Sequence, residues 1–400
     1  MTADLQSPPR TARGPVNAAE RALAPDLARG AMLLLIALAN SAGVFLAAGP
    51  GLEPNPEGAE RVYNFLMVEL VHARAFPLFA LMFGYGLVQL ARRQAASGAS
   101  EGQVRSVLLR RNGWLIVFGA LHGLLLYSGD FLGAYGLIGI AFTLVLLQRS
   151  DKVHRFAPWY LAVGLAYVAA LAFMAFASFA PGDASAPVSA FPSVLADTYW
   201  ASLVERAAEW PAHTLMLLPM ILMVWVGAWA GRRRLLEEAG RHLRLLGWAA
   251  AGGFAIAVAA GMPMALLSAG YLSVDEETAG LVKMLYETAG FFGGIAYGAV
   301  FGLVAHALTR RGRLGPVTTA VSALGQRSLS GYLFQSVAWM VLAMPFTLAL
   351  GERFGSPLIV SGVCAVAVWL VTVAASDLMR RLGYRGPAET LLRRLTYGKR

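Results

Sequence analysis

The chain has 400 residues, of which 57% are hydrophobic and only 14% charged. Soluble domains carry about a quarter charged residues, so this composition argues against an ordinary water-soluble fold. The formal net charge of +10 would suit a nucleic-acid partner in a soluble protein. Among long apolar runs the question is instead which loops carry the charge, and no nucleic acid is expected.

Residues 1–20 are polar and rich in Pro and Gly, and read as a disordered cytoplasmic tail. A helix needs roughly 20 apolar residues to cross the hydrocarbon. Ten runs of that kind follow, centred on 30–48, 74–91, 113–128, 131–148, 158–180, 212–230, 246–269, 286–308, 329–350 and 357–376. With the N-terminus taken as inside, alternation places most of the 33 lysines and arginines on the inner side, including RRQ at 92, RR at 110 and RRR at 232. The expected architecture is all-α: a polytopic membrane domain of ten transmembrane helices over 21–379, N-in and C-in, then a basic cytoplasmic tail over 380–400.

The outer connections also carry signals. SVLADTYWASLVERAAEW reads as an amphipathic helix on the outer surface, with Trp200 and Trp210 in an interfacial belt. In the eighth run Gly290, Gly294, Gly298 and Gly302 fall every fourth residue, a face that lets another helix approach closely. Cys364 is alone and reads as a packing residue, since one thiol forms no internal disulfide.

Ionisable groups inside apolar runs are costly, and therefore informative. In GALHGLLLYSGDFLGAYG, residues 119–136, His122 lies six residues before Ser128, about 9 Å below the turn at 1.5 Å per residue. A neutral imidazole there needs both a donor and an acceptor partner. It reads either as polar glue between helices or as a general acid–base. Asp130 reads either as an N-cap of the following helix or as the partner of His122, the latter only if the chain folds back at Gly129.

Glu69 and His72, three residues apart, are expected to share a helix face, with Arg74 following and Pro77 ending or kinking the helix. Together they suggest a vestibule above a span. Asp26 and Arg29 are spaced to pair at the start of the first run, and Asn40 lies mid-span. GQRSLSGYLFQS aligns Arg327, Ser328, Tyr332 and Gln335 in one polar stripe. Of the remaining histidines, His213 reads as interfacial, and His154, His242 and His306 as solvated inner-side residues. No nucleotide, metalloprotease or nucleophile-elbow motif occurs, and no metal site is expected.

The stretches PDLARGAMLLLIALAN, RAFPLFALMFGYGLVQLARR, RRNGWLIVFGALHGLLLYSGDFLGAYGLIG, WVGAWAGRRRLLEE, GQRSLSGYLFQS and GYRGPAETLLRRLTYGKR resemble, in order, the YeiB-like bacterial membrane proteins (domain of unknown function 418). That family is more remotely similar to ten-span acyltransferases and to membrane N-acetyltransferases. In the ten-span group an arginine near the first span precedes the catalytic histidine by eleven residues. Here Arg29 matches, but the eleventh residue is Asn40, which is no base. In the N-acetyltransferases an asparagine occupies that place and a histidine follows soon after the first span, whereas here the first histidine is His72. The base of either group is displaced or absent in this chain.

The resemblance implies a bacterial cytoplasmic membrane and an acyltransferase with no tightly bound cofactor. The donor would be a cytosolic thioester such as acyl-CoA, and the acceptor a small molecule, glycan or lipid at the outer face. In that reading His122 deprotonates the acceptor, Asp130 orients it, and Asn40 and Tyr332 hydrogen-bond the reacting groups. Glu69, His72, Arg74 and Gln335 complete the acceptor site, and Arg29 draws the donor's phosphates. The second reading is a transporter or export factor for a lipid-like or small organic molecule, which needs the polar stripe but no base.

Overall fold

The computed structural model describes residues 22–312 and 314–398, so the segment expected as a disordered tail lies outside the described residues. The described chain is all-α apart from a two-residue antiparallel pairing of β1 (Ala48–Gly49) with β2 (Ser189–Ala190).

Helices α1 (Leu23–Phe45), α2 (Ala59–Leu70) and α3 (Ala75–Ala96) come first. Helix α4 (Glu101–Leu125) starts in a capping box, in which Ser100 Oγ accepts from the Gln103 N–H and the Gln103 side chain accepts from the Ser100 N–H. A tight turn leads to α5 (Leu132–Val145), then α6 (Asp151–His154), α7 (Trp159–Ala177), α8 (Pro192–Leu195), α9 (Tyr199–Met216) and α10 (Ile221–Arg232). Helices α11 (Leu243–Ser268) and α12 (Glu276–Thr309) form a long hairpin. Asp275 caps α12 by accepting from the Thr278 N–H at 2.9 Å, and these bonds hold its carboxyl below the usual range. The remainder is α13 (Pro316–Gly325), α14 (Ser328–Ala343), α15 (Leu350–Arg353), α16 (Pro357–Arg381) and α17 (Pro387–Tyr397).

Among the described residues seven helical segments are long and apolar enough to cross a membrane: α1, α2 with α3, α6 with α7, α9 with α10, α11, α12 and α16. Each of the ten expected runs falls on a helix, yet three stand outside these seven. Helix α4 is long enough, but Arg110, Arg111, Asn112 and His122 dilute its apolar character. Helices α5 and α14 have 14 and 16 residues, roughly 21 and 24 Å at 1.5 Å per residue, short of a hydrocarbon layer about 30 Å thick.

Large apolar side chains such as Phe173, Phe176 and Trp248 point outward, as lipid-facing residues do. Inside, Met32, Leu33, Leu78, Met82, Leu115 and Tyr332 form one buried cluster that joins α1, α3, α4 and α14. The glycine face of α12 packs as its spacing suggests: a Cβ at Gly290 would sit 2.3 Å from the Ala73 carbonyl oxygen, and one at Gly294 2.7 Å from the Leu78 nitrogen.

Three local expectations change. Glu69 and His72 do not share a helix face, because α2 ends at Leu70 and the chain turns through Ala73 at φ 58°. Pro77 lies within the first turn of α3 and makes no kink. His154 is buried rather than solvated, with Trp225 Nε1 donating to its Nδ1 at 3.2 Å and its Nε2 donating to the Leu146 carbonyl at 3.1 Å. The C-terminal basic segment contains the amphipathic helix α17, which packs on α4 and α14.

Candidate functional site

The turn between α4 and α5 folds back as the His122–Asp130 pairing requires. The Leu126 and Tyr127 N–H groups both donate to the His122 carbonyl, ending the helix, and Asp130 returns beside the imidazole. Asp130 Oδ1 lies 2.8 Å from His122 Nδ1, and Asp130 Oδ2 accepts from the Gly133 N–H at 2.7 Å. One carboxylate therefore caps α5 and orients the histidine, so the two readings of Asp130 are both satisfied. Trp210 Nε1, from α9, also reaches Oδ2 at 3.4 Å.

On the other side of the ring, His122 Nε2 lies 2.7 Å from Ser336 Oγ on α14. With Asp130 as a carboxylate, which only accepts, Nδ1–H donates to it. In that tautomer the lone pair at Nε2 accepts from the Ser336 hydroxyl. The result is a Ser–His–Asp relay built from two helices, α4 and α14, and the turn before α5, with His122 2% exposed, Asp130 0% and Ser336 1%. Close approach makes it possible. A Cβ at Gly119 would sit 2.5 Å from Asp130 Oδ2, and one at Gly123 2.0 Å from the Trp210 ring.

The end of the hairpin is covered by the segment expected on the outer surface. Ser202 donates to the Ser193 carbonyl, joining α9 to α8. Arg206 Nε donates to the Leu124 carbonyl at 2.8 Å, and Glu209 accepts from the Ser128 and Ser193 hydroxyls at 2.6 Å each. Trp210 thus stands between the relay and this end of the molecule.

From the opposite end a cavity of about 700 Å³ reaches toward the relay. Five arginines line it, Arg29, Arg92, Arg93, Arg111 and Arg234, against three carboxylates, Asp26, Glu237 and Glu389. The lining keeps a positive excess although Asp26 lies 3.7 Å from Arg29 and Glu237 pairs with Arg92 and Arg234. Its deep end is apolar and aromatic, with Phe79, Phe83, Leu132, Tyr135 and Tyr332. The Tyr332 ring is 5.0 Å from the His122 ring, and its hydroxyl is buried beside the Phe131 backbone. His122 and Ser336 stand behind Tyr332 and are not part of the cavity wall.

Of the sequence-derived candidates, His122, Asp130 and Tyr332 come together, and Arg29 lies in the mouth that leads to them. The others lie elsewhere. Gln335 ties α14 to α1 through a 3.2 Å bond to the Leu33 carbonyl. Asn40 is half-buried on α1 and takes no part in the relay or the cavity wall. Glu69, His72 and Arg74 form a separate buried corner: Arg74 is 3.4 Å from Glu69 and donates to the carbonyls of His72 and Ala257, and His72 Nε2 meets the Gly51 carbonyl at 3.3 Å. All three side chains are buried. His213 packs edge-on against Phe131 at 5.7 Å. Sequence reasoning missed Ser336. The available signal was its spacing of four from Tyr332, which puts both on one face of α14. No three His, Cys, Asp or Glu side chains converge in a metal-binding arrangement among the described residues.

Residues 230–399 match the family described as "Protein of unknown function (DUF418)". The chain is similar to the uncharacterized protein YeiB of Escherichia coli (strain K12), 27% identical over 399 residues that cover 94% of this chain and 96% of the relative. It is also similar to the uncharacterized protein YxaH of Bacillus subtilis (strain 168), 24% identical over 350 residues, 82% of this chain and 80% of that one. Helices suited to a bilayer go together with this family match over residues 230–399 and with likeness to YeiB and YxaH over most of the chain, so the chain is similar to the YeiB-like DUF418 proteins.

Proposed function

We propose that this protein is a membrane-embedded acyltransferase that moves an acyl group from a cytosolic thioester to an acceptor on the far side of the bilayer. The supporting observation is the alignment of one axis through the molecule: an arginine-rich mouth, an aromatic passage ending at Tyr332, and a histidine relay directly behind it. In this reading the arginines hold the phosphates of an acyl-CoA, and the apolar passage takes the pantetheine and acyl chain. His122 accepts and returns the proton that transfer requires, and Asp130 keeps its ring in the productive tautomer. The segregation of basic residues supports ten spans with both termini cytoplasmic, the short α5 and α14 crossing with the help of their flanking turns.

The test uses full-length protein in lipid nanodiscs with radiolabelled acetyl-CoA or palmitoyl-CoA and a bacterial membrane extract as the source of acceptors. His122→Ala should lower transfer about 10³-fold, within the range of general acid–base catalysis, while leaving expression intact. Full transfer by that variant would remove the reading. Flux of a solute without any covalent product, surviving His122→Gln, would restore the transport reading.

A further inference from the structure

We propose that Ser336 is the first acceptor of the acyl group, so that transfer proceeds through a covalent ester on this side chain. The inference rests on the acyl-transfer reading above and names its chemical route. Its starting point is the occupancy of the histidine. With Nδ1–H given to Asp130, His122 has one lone pair, and the Ser336 hydroxyl, 2.7 Å away, already holds it. The hydroxyl that His122 is placed to activate is therefore Ser336. A serine is a weak nucleophile until a base within hydrogen-bond reach takes its proton, and a third group that orients that base completes the arrangement. All three roles are filled here by buried side chains.

The surroundings fit an intermediate. Tyr332 lies one turn before Ser336 on the same face of α14 and forms the deep end of the cavity, so a thioester carbonyl arriving past its ring would reach Ser336 next. Its buried hydroxyl, which can accept from the Phe131 backbone and still donate its own proton, is a donor for the oxyanion that develops there. Tyr332 closes the relay toward the arginine mouth and Trp210 closes it toward the opposite end. Donor and acceptor arriving from opposite sides would then meet the relay in turn, and a covalent ester carries the acyl group between the two visits.

In the first step Ser336 Oγ bonds to the thioester carbonyl carbon as its proton passes to His122 Nε2. The C–S bond breaks, and the leaving thiolate takes that proton. In the second step an acceptor hydroxyl or amine gives its proton to Nε2 and attacks the ester carbonyl. The C–Oγ bond breaks, and Oγ recovers the proton. No oxidant or reductant is needed.

The experiment treats the full chain in nanodiscs with an alkyl fluorophosphonate, which esterifies activated serines with loss of fluoride, and maps the adduct by peptide mass spectrometry. Transfer from acetyl-CoA and palmitoyl-CoA is measured on the same samples. The expected result is a single adduct on Ser336, absent in Ser336→Ala and at least about tenfold slower in His122→Gln. Thermal unfolding of both variants controls for folding, and Ser336→Cys should form a hydroxylamine-sensitive thioester with either CoA donor. Transfer by the wild type together with an unlabelled Ser336 and full transfer by Ser336→Ala would overturn the proposal while leaving the acyl-transfer reading in place. A labelled Ser336 without transfer from either donor would uphold the nucleophile and sink the thioester reading. Absence of both label and transfer would sink the two together.

Discussion

The His122 relay and the Arg74 corner are buried to a similar degree, yet different partners hold them. In the corner, Arg74 is 1% exposed and spends its donors on two backbone carbonyls and on Glu69, while its guanidinium lies 5.5 Å over the Tyr286 ring. His72 likewise leans on a backbone carbonyl. These bonds pin the turn between α2 and α3, where Ala73 adopts a left-handed conformation. In the relay the histidine spends both nitrogens on side chains, a hydroxyl and a carboxylate, and the chain of partners ends beside a cavity. Burial of charge is common to the two regions. What separates them is that backbone carbonyls supply most of the partners in the corner, whereas both nitrogens of His122 face side chains.

The comparison breaks most readily at Arg74. Arg74→Ala leaves Glu69 without its counter-ion and should cost about 3–5 kcal/mol, read as a lower unfolding temperature and a smaller monodisperse fraction in detergent. Transfer per folded molecule should be retained, and its loss in a well-folded variant would erase the division between the regions. Asp130→Asn should do the reverse. The amide oxygen still accepts from the Gly133 N–H, so stability should move by no more than about 1 kcal/mol. Transfer should fall about 10²-fold as the ring loses its oriented tautomer, measured with the same labelled donors. Arg29→Ala should have the smallest effect: an approximately tenfold rise in KM for the CoA thioester at unchanged kcat, shrinking as salt is raised.

Apolar run length was enough to read the helices, because each run had to bury its own backbone hydrogen bonds. The pairing of His122 with Asp130 is only one of two readings that the sequence allows, because it needs a fold-back at Gly129 that the spacing of eight does not by itself require. Two features were not readable. The break after Leu70 depends on Ala73 at φ 58°, a conformation that alanine does not advertise. Ser336 is an ordinary helical serine until the fold brings α14 within side-chain reach of His122, and that approach is tertiary information. His154 shows the same limit, because its burial depends on Trp225, 71 residues away in sequence.

Helix α17 deserves a practical reading. Its Glu389 accepts from the Leu329 N–H at 2.8 Å and the Ser330 N–H at 3.1 Å, capping the helix that carries Tyr332 and Ser336. Glu389 and Leu392 also line the arginine-rich mouth, and Tyr397 bonds the Gln94 side chain at 3.1 Å. Removing the residues after Arg381 would therefore be a lesion in the wall of the arginine-lined cavity and not a neutral change at the periphery.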